Sequence, residues 1–309
     1  MSISATSRPQ AGDPATGPQP EAPSRGMWAE AFARVVRSPS GLLGLCLIAL
    51  FVFVAVFAPL LAPYHPGDNQ WLDQVRPGVY PGPSAQHPFG IDTQGRDVLS
   101  RLIYGARQSL LIGVVSLLMG GSVGIALGFL AGAIGGWVDS VLMRLVDIML
   151  SVPSLLFAIA VAAVLGQGLL SVMIAIAVTS VPLFARLLRG QMLGQRNADY
   201  VLAAHSLGIK RHQIALRHIL PNSIAPVIVH GTLFLATAII DAAGLAFLGL
   251  SAADPSTPEW GRMLTDAQHA LATAPLLAIL PGTAIVLSAL GFTLFGEQLR
   301  EALDPKYRR

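Results

Sequence analysis

Six apolar stretches alternate with polar connections along the chain, at about 41–63, 108–136, 141–165, 169–188, 223–250 and 274–295. Each is about as long as the roughly 20 residues an α-helix needs to cross a bilayer. The run from 141 to 188 is too long for one helix, and Gly166-Gln167-Gly168 divides it. The pattern predicts an all-α, polytopic membrane protein with six transmembrane helices. Pro153, Pro182, Pro226 and Pro281 fall inside or at the ends of these helices, where neighbouring helices and water can satisfy the carbonyls they free. The second stretch carries Gly113, Gly120, Gly121, Gly124, Gly128 and Gly132. Small residues let helix backbones approach closely in lipid, so this helix is expected to pack tightly on a neighbour.

Two segments depart from the pattern. Residues 1–26 are rich in Pro, Ser, Ala and Gly and hold no apolar run, the composition of a disordered tail, and they lack the apolar centre of a signal peptide. The expected division is a tail and short lead-in over 1–37, then a membrane domain over 38–309. The second departure is 199–222, which is helical in pattern and basic. Arg196, Asp199, Lys210, Arg211 and Arg217 would each cost about 2.5–3.5 kcal/mol at the bilayer centre, against about 0.3–0.6 kcal/mol returned by each Leu or Ile. This element therefore stays outside the hydrocarbon. Tyr200, Ala203, Ala204 and Leu207 share one helix face. Asp199 stands where an N-cap belongs, and Gly208 is placed to end the helix in a left-handed turn. A second helix is predicted over 210–220, closed by Pro221-Asn222. Ala203, Ala204 and Gly208 make the exposed face small, so a protein surface could seat closely on it; a basic loop lying on anionic headgroups fits the spacing equally well.

Composition and charge sharpen this picture. Of 309 residues, 53% are hydrophobic and 12% charged, against about 25% charged in soluble domains, so most of the surface does not face water. With the N-terminus inside, only Arg76, Arg96, Arg101, Arg107 and Arg262 of the 20 Lys and Arg fall on outer segments. That bias obeys the positive-inside rule and places both termini and 199–222 in the cytoplasm. Cys46 is the single cysteine and reads as a packing residue. The chain holds no phosphate-cradling Gly-x-x-x-x-Gly-Lys-Ser/Thr, no Ser-His-Asp set and no metal-ligand cluster. It is expected to be no enzyme, to hydrolyse no ATP, and to need no cofactor, metal or nucleic acid.

Several polar positions invite a role. Asp92, Arg96 and Asp97 surround Gly95, but position 103 is Ile where a calcium loop needs a bidentate Glu, so a turn at Gly95 is the better reading. An amphipathic helix is expected to follow at the outer interface, with Arg101 and Arg107 snorkelling. Arg144 and Asp147 are spaced for a local ion pair. Asp241 lies within a span, where an acid makes a structural hydrogen bond to a neighbouring helix or lines a path. Trp137, Trp260 and Tyr104 read as interfacial anchors. The segments 87–107 and 251–273, with Asp92, Arg96, Asp97 and Trp260, are expected to shape an outer vestibule.

At 202–221 the residues resemble a known family. Leu202-Ala203-Ala204, Gly208 and His218-Ile219-Leu220-Pro221 are similar to the cytoplasmic coupling motif of ABC importer permeases, with Leu202 where Glu is usual and His218 where Ile is usual. The stretches 87–113, 143–156, 247–264 and 296–309 resemble permeases of dipeptide, oligopeptide and nickel importers, and the ending Leu-Arg-Glu-Ala-Leu-Asp-Pro resembles their C-type subunit. The resemblance implies a type I ABC importer permease in the cytoplasmic membrane. Its implied partners are a second permease in a heterodimer, two cytoplasmic ATPases, an external solute-binding protein and membrane lipid. It implies that Asp199, Tyr200, Ala203, Ala204, Leu207, Gly208 and Pro221 serve ATPase coupling, and that peptides, nickel chelates or glutathione are carried by alternating access. An ion-coupled transporter would need several midplane acids, and Asp241 is the only mid-span acid. A non-transporting scaffold would bring down no ATPase.

Overall fold

The computed structural model describes residues 27–76, 78–251, 254 and 256–304. The predicted tail over 1–26 lies outside the described residues. The helices are α1 (Met27–Arg37), α2 (Pro39–Val56), α3 (Ala58–Leu61), α4 (Val98–Ile134), α5 (Gly136–Leu150), α6 (Ser154–Leu165), α7 (Leu169–Gln195), α8 (Asp199–Ser206), α9 (Arg211–Ile214), α10 (Leu220–Ser223), α11 (Ala225–Phe247), α12 (Trp260–Asp266) and α13 (Leu276–Leu303). Among the described residues there is no strand beyond two isolated bridges, Arg76 with Val79 and Ile91 with Asp97.

Five helices are long and apolar enough to cross a membrane: α2, α4, α7, α11 and α13. A sixth span exists if α5 and α6 count as one. These two meet at a 91° bend, so the straight span expected over 141–165 is not formed. Pro153 causes the break. It has no N–H to donate, and it disfavours helical backbone at the residue before it. Ser151 and Ser154 stand close to Pro153, but Met149, Leu150, Val152 and Leu155 around them are apolar, so the hydrophobic run continues across the bend.

The interfacial helix expected ahead of the second span is not separate either. Asp97 caps a single helix, its carboxylate accepting from Ser100 N–H at 2.7 Å, and α4 then runs unbroken to Ile134. The lead-in before Ser38 is helical as α1, and it packs Ala31 and Val35 against α11 and α13 through Val229 and Leu299.

The α4–α7 pair forms the most extensive helix contact, and its cause is the glycine stripe. A Cβ at Gly120 would lie 2.2 Å from Ala177 O, at Gly124 2.6 Å from Val181 O, and at Gly128 2.5 Å from Ala185 O. Successive i+4 positions of α4 thus touch the backbone of α7 directly. In lipid there is no hydrophobic drive between helices, so this close van der Waals packing carries the association. Two ion pairs tie α5 to the C-terminal half of α7: Arg189 with Asp139, including Nη2 to Oδ2 at 2.7 Å, and Arg186 with Asp147. Asp147 therefore pairs between helices, and the local pair with Arg144 expected from spacing does not form.

Candidate functional site

The element over 199–222 lies between α7 and α11 and folds as two short helices around Gly208. Ala198, not Asp199, is the N-cap of α8, without a side-chain cap bond; Asp199 is the first helical residue. There its charge favours the positive end of the helix dipole. The C-terminus of α8 is a Schellman motif. Gly208 adopts φ +76°, its N–H donates to His205 O at 3.0 Å, and Ile209 N–H donates to Ala204 O at 3.2 Å. A residue other than Gly at this φ pays roughly 1–2 kcal/mol.

The second helix is interrupted. After α9 the residues Ala215–Ile219 form a π turn, and α10 continues through Pro221 towards α11. Pro221 therefore does not close the helix. It lacks an N–H and its ring crowds the carbonyl four residues back, and the preceding turn widens.

The face expected to be exposed is only partly so. Ala204 is 6% exposed, buried with Val201, Ile214 and Ile219 against the core formed by α4, α7 and α11. Tyr200, Ala203, Leu207 and Gly208 do face outward, and Leu207 is 80% exposed. Ala204 thus holds the element to its own chain. The outward surface is Tyr200, Ala203 and Leu207, with Lys210, Arg211 and Arg217 exposed beyond them. Tyr200 Oη also donates to Gln195 Oε1 at 2.9 Å, linking α8 to the end of α7.

The residues expected to shape an outer vestibule lie in a buried cluster. Asp92, Arg96, Asp97 and Trp260 are all buried. Asp92 accepts from Gln94 N–H (2.8 Å), Arg96 N–H (3.0 Å) and Arg96 Nε (2.7 Å), while Arg96 Nη2 also donates to Asp266 at 3.1 Å. Asp97 accepts from Ser100 and lies 3.0 Å from His87 Nδ1. Arg101 does not snorkel; it is buried and donates to Pro66 O at 3.2 Å. Arg101 Nε lies 3.4 Å from Asp92 Oδ2, and although Arg101 Nη2 and His87 Nε2 make no hydrogen bond, the ion pairs and backbone bonds of this cluster pin the loop before α4 to that helix. Gly95, at φ +75°, makes the turn expected of it. Trp260 is no interfacial anchor: it is 1% exposed, its indole N–H donates to Leu102 O at 3.0 Å, and it fills the notch at Gly105, where a Cβ would lie 2.5 Å from its ring. Trp137 is largely exposed, as an anchor would be. Among the described residues no group of three His, Cys, Asp or Glu is arranged to hold a metal ion.

Asp241 sits on the half-exposed side of α11 with Ile240 and Phe247. It makes no hydrogen bond to a described residue, so the helix-to-helix bond expected of it is absent.

Sequence reading missed Glu259, the N-cap of α12. It is 1% exposed, and neither carboxylate oxygen has a hydrogen-bond partner. Burial pushes its carboxyl up to about 7, with Arg262 pulling the other way. The folded carboxyl keeps its proton to about pH 7, while an unfolded one loses it near 4.5. In that window the folded state binds more protons, so its stability falls as pH rises through it. Thermal unfolding of the solubilised subunit is expected to show a lower midpoint at pH 8 than at pH 5 from this group. Glu259→Gln should flatten the difference; an unchanged difference would contradict the burial argument.

Residues 124–309 match the family described as "binding-protein-dependent transport system inner membrane component", and residues 26–81 match the "N-terminal TM domain of oligopeptide transport permease C". A dipeptide transport system permease, DppC of Alkalihalophilus pseudofirmus, is 43% identical over 91% of this chain and 90% of its own. Glutathione transport system permeases, GsiD, of Pectobacterium atrosepticum and Escherichia coli are 40% and 42% identical over 91% of this chain and 92% and 91% of theirs. Two crystal forms of the MetNI methionine ABC transporter in inward-facing conformations share the fold. Their TM-scores are 0.53 and 0.54 at 18% identity, covering 66% and 67% of this chain and 96% and 97% of theirs.

Proposed function

The chain belongs to the family of binding-protein-dependent transport system inner membrane components, and from that membership we propose that it forms half of the translocation path of an importer for short peptides. It is a multi-pass ABC importer permease and not an enzyme; ATP hydrolysis belongs to separate subunits. The peptide assignment rests on the names of its relatives, dipeptide and glutathione permeases, since glutathione is itself a short peptide. In this reading the chain pairs with a second, different permease, two ATPases dock from the cytoplasm, and an external solute-binding protein delivers the solute. Asp241, on the open side of α11, faces the path.

One observation carries the coupling role. The outward surface of α8 is apolar and small, with Leu207 largely in water, while its inner surface is locked to the core through Val201 and Ala204. Such a rigidly backed apolar face fits a protein partner better than solvent. ATPase closure pushes on Tyr200, Ala203 and Leu207. The push passes through Ala204 to the core and through Tyr200–Gln195 to α7, and the spans rock between outward and inward access.

This reading requires 199–222 to be cytoplasmic and 63–97 external. Cysteines at Ser84 and His205, in a Cys46→Ser background, are expected to label oppositely with an impermeant maleimide on intact cells or spheroplasts, Ser84→Cys from outside and His205→Cys only after permeabilisation. Outside labelling of His205→Cys would reverse the orientation.

A further inference from the structure

α8 has three sides, and docking uses one. Tyr200, Ala203 and Leu207 face out, and Val201 and Ala204 pack inward. The third side, with Leu202 and His205, forms one wall of a cleft of about 810 Å³. The opposite wall is the end of α4 and the start of α5, and α9 with the π turn closes the cleft. Phe129, Ala133 and Ile134, at the end of a membrane-spanning helix, make one part of the lining apolar. Arg196 and Arg211 make the other part cationic, with His205 and His212 beside them, and no acidic side chain lines the cleft. None of these four side chains hydrogen-bonds or ion-pairs with a described residue. The acid that senses Arg196, Asp139, is already held by two nitrogens of Arg189.

We propose that this cleft binds an anionic phospholipid of the cytoplasmic leaflet, its headgroup phosphate between Arg196 and Arg211 and the start of its acyl chains against Phe129 and Ile134. Charge complementarity and position both select this occupant. The cleft opens where a spanning helix leaves the hydrocarbon, and basic pockets at that depth on the cytoplasmic side suit anionic headgroups. A lipid seated there braces α8 and α9 against α4, so membrane composition tunes how firmly the coupling element is held. The inference rests on the cytoplasmic placement proposed above, but not on ATPase docking.

The test reads lipid retention by native mass spectrometry on the complete importer, reconstituted in mixed phosphatidylglycerol and phosphatidylcholine. The wild type is expected to retain phosphatidylglycerol selectively. Arg196→Gln with Arg211→Gln should lose that retention, roughly fivefold per charge removed, and Arg196→Lys with Arg211→Lys should keep most of it. Lys210→Gln with Arg217→Gln removes two charges that do not line the cleft and should change nothing. Leu207→Asp, which disables docking in the reading above, should retain lipid once its permease pair is isolated, so failure of docking and failure of the lipid site are read separately. Equal loss in the two Gln pairs would mean a diffuse basic surface and overturn the proposal. So would equal retention of phosphatidylcholine, or a cleft that holds no lipid because the ATPase fills it.

Discussion

Leu207→Asp is expected to abolish uptake and substrate-stimulated ATP hydrolysis in the reconstituted importer, while the subunit still inserts and pairs with its partner permease. Leu207 is 80% exposed and ends α8 beside Gly208. Covering a leucine stabilises a complex by about 1.5–3 kcal/mol. An aspartate in its place forfeits that and puts an unpaired charge into the interface, at a further cost of several kcal/mol. Together the two terms weaken docking on the order of a hundredfold or more. The subunit's own fold is expected to hold, because the described residues leave this side chain largely uncovered. Ala203→Asp on the same face should act alike. Ala204→Asp is not an equivalent test: Ala204 is buried against Val201 and Ile214, so a charge there damages the element before any partner arrives. Uptake and hydrolysis are measured together, with assembly read by co-purification of the ATPases. Full activity in both Asp variants would remove the docking role from this face.

Gly124→Leu is expected to prevent the subunit from folding at all. A Cβ at Gly124 would fall 2.6 Å from both Phe184 Cβ and Val181 O. One obstacle is backbone and cannot rotate away, so α4 and α7 must separate along the stripe. Overpacking a core costs about 1–3 kcal/mol where side chains can shift. Here a whole helix pair must move, and the van der Waals contact that holds it in lipid goes too. Gly113→Ala is the control, since its Cβ would meet Ile239 at an ordinary 3.6 Å. Size-exclusion profiles of the solubilised subunit are expected to show aggregate for Gly124→Leu and a wild-type peak for Gly113→Ala. A monodisperse, thermally stable Gly124→Leu would show that the stripe does not hold the pair.

The glycine stripe was visible in the sequence because an i+4 spacing of small residues has one structural use in lipid, and the turn at Gly208 was visible because a left-handed C-terminus needs that residue. The all-α class and the apolar runs followed from hydrophobicity alone. What the pattern hid has physical reasons. The bend at Pro153 sits between two apolar runs, with only Ser151 and Ser154 beside it, so hydropathy stays high across it. Ala204 and Ala203 are chemically identical in sequence, and only packing decides that one faces Ile214 and the other solvent. Arg96 reaches Asp266 across 170 positions, and Arg189 reaches Asp139 across 50; local spacing carries no trace of either. Trp260 reads as an interfacial anchor because a tryptophan near a span end usually is one, and the notch at Gly105 that receives it is far away in sequence. Glu259 gave no signal, since an acid beside Pro258 looks like any exposed loop residue.

In the proposed mechanism the outward face of α8 is the contact with an ATPase subunit. The most direct measurement places a photo-crosslinking amino acid at Ala203, and separately at Ala204, in the complete importer, and identifies the products by mass spectrometry after illumination in the membrane. The account predicts that position 203 joins to an ATPase subunit and that position 204 joins within the permease itself, to the region of Ile214. Position 203 joining only to lipid or to the permease's own chain, with the ATPases present and bound, would contradict it.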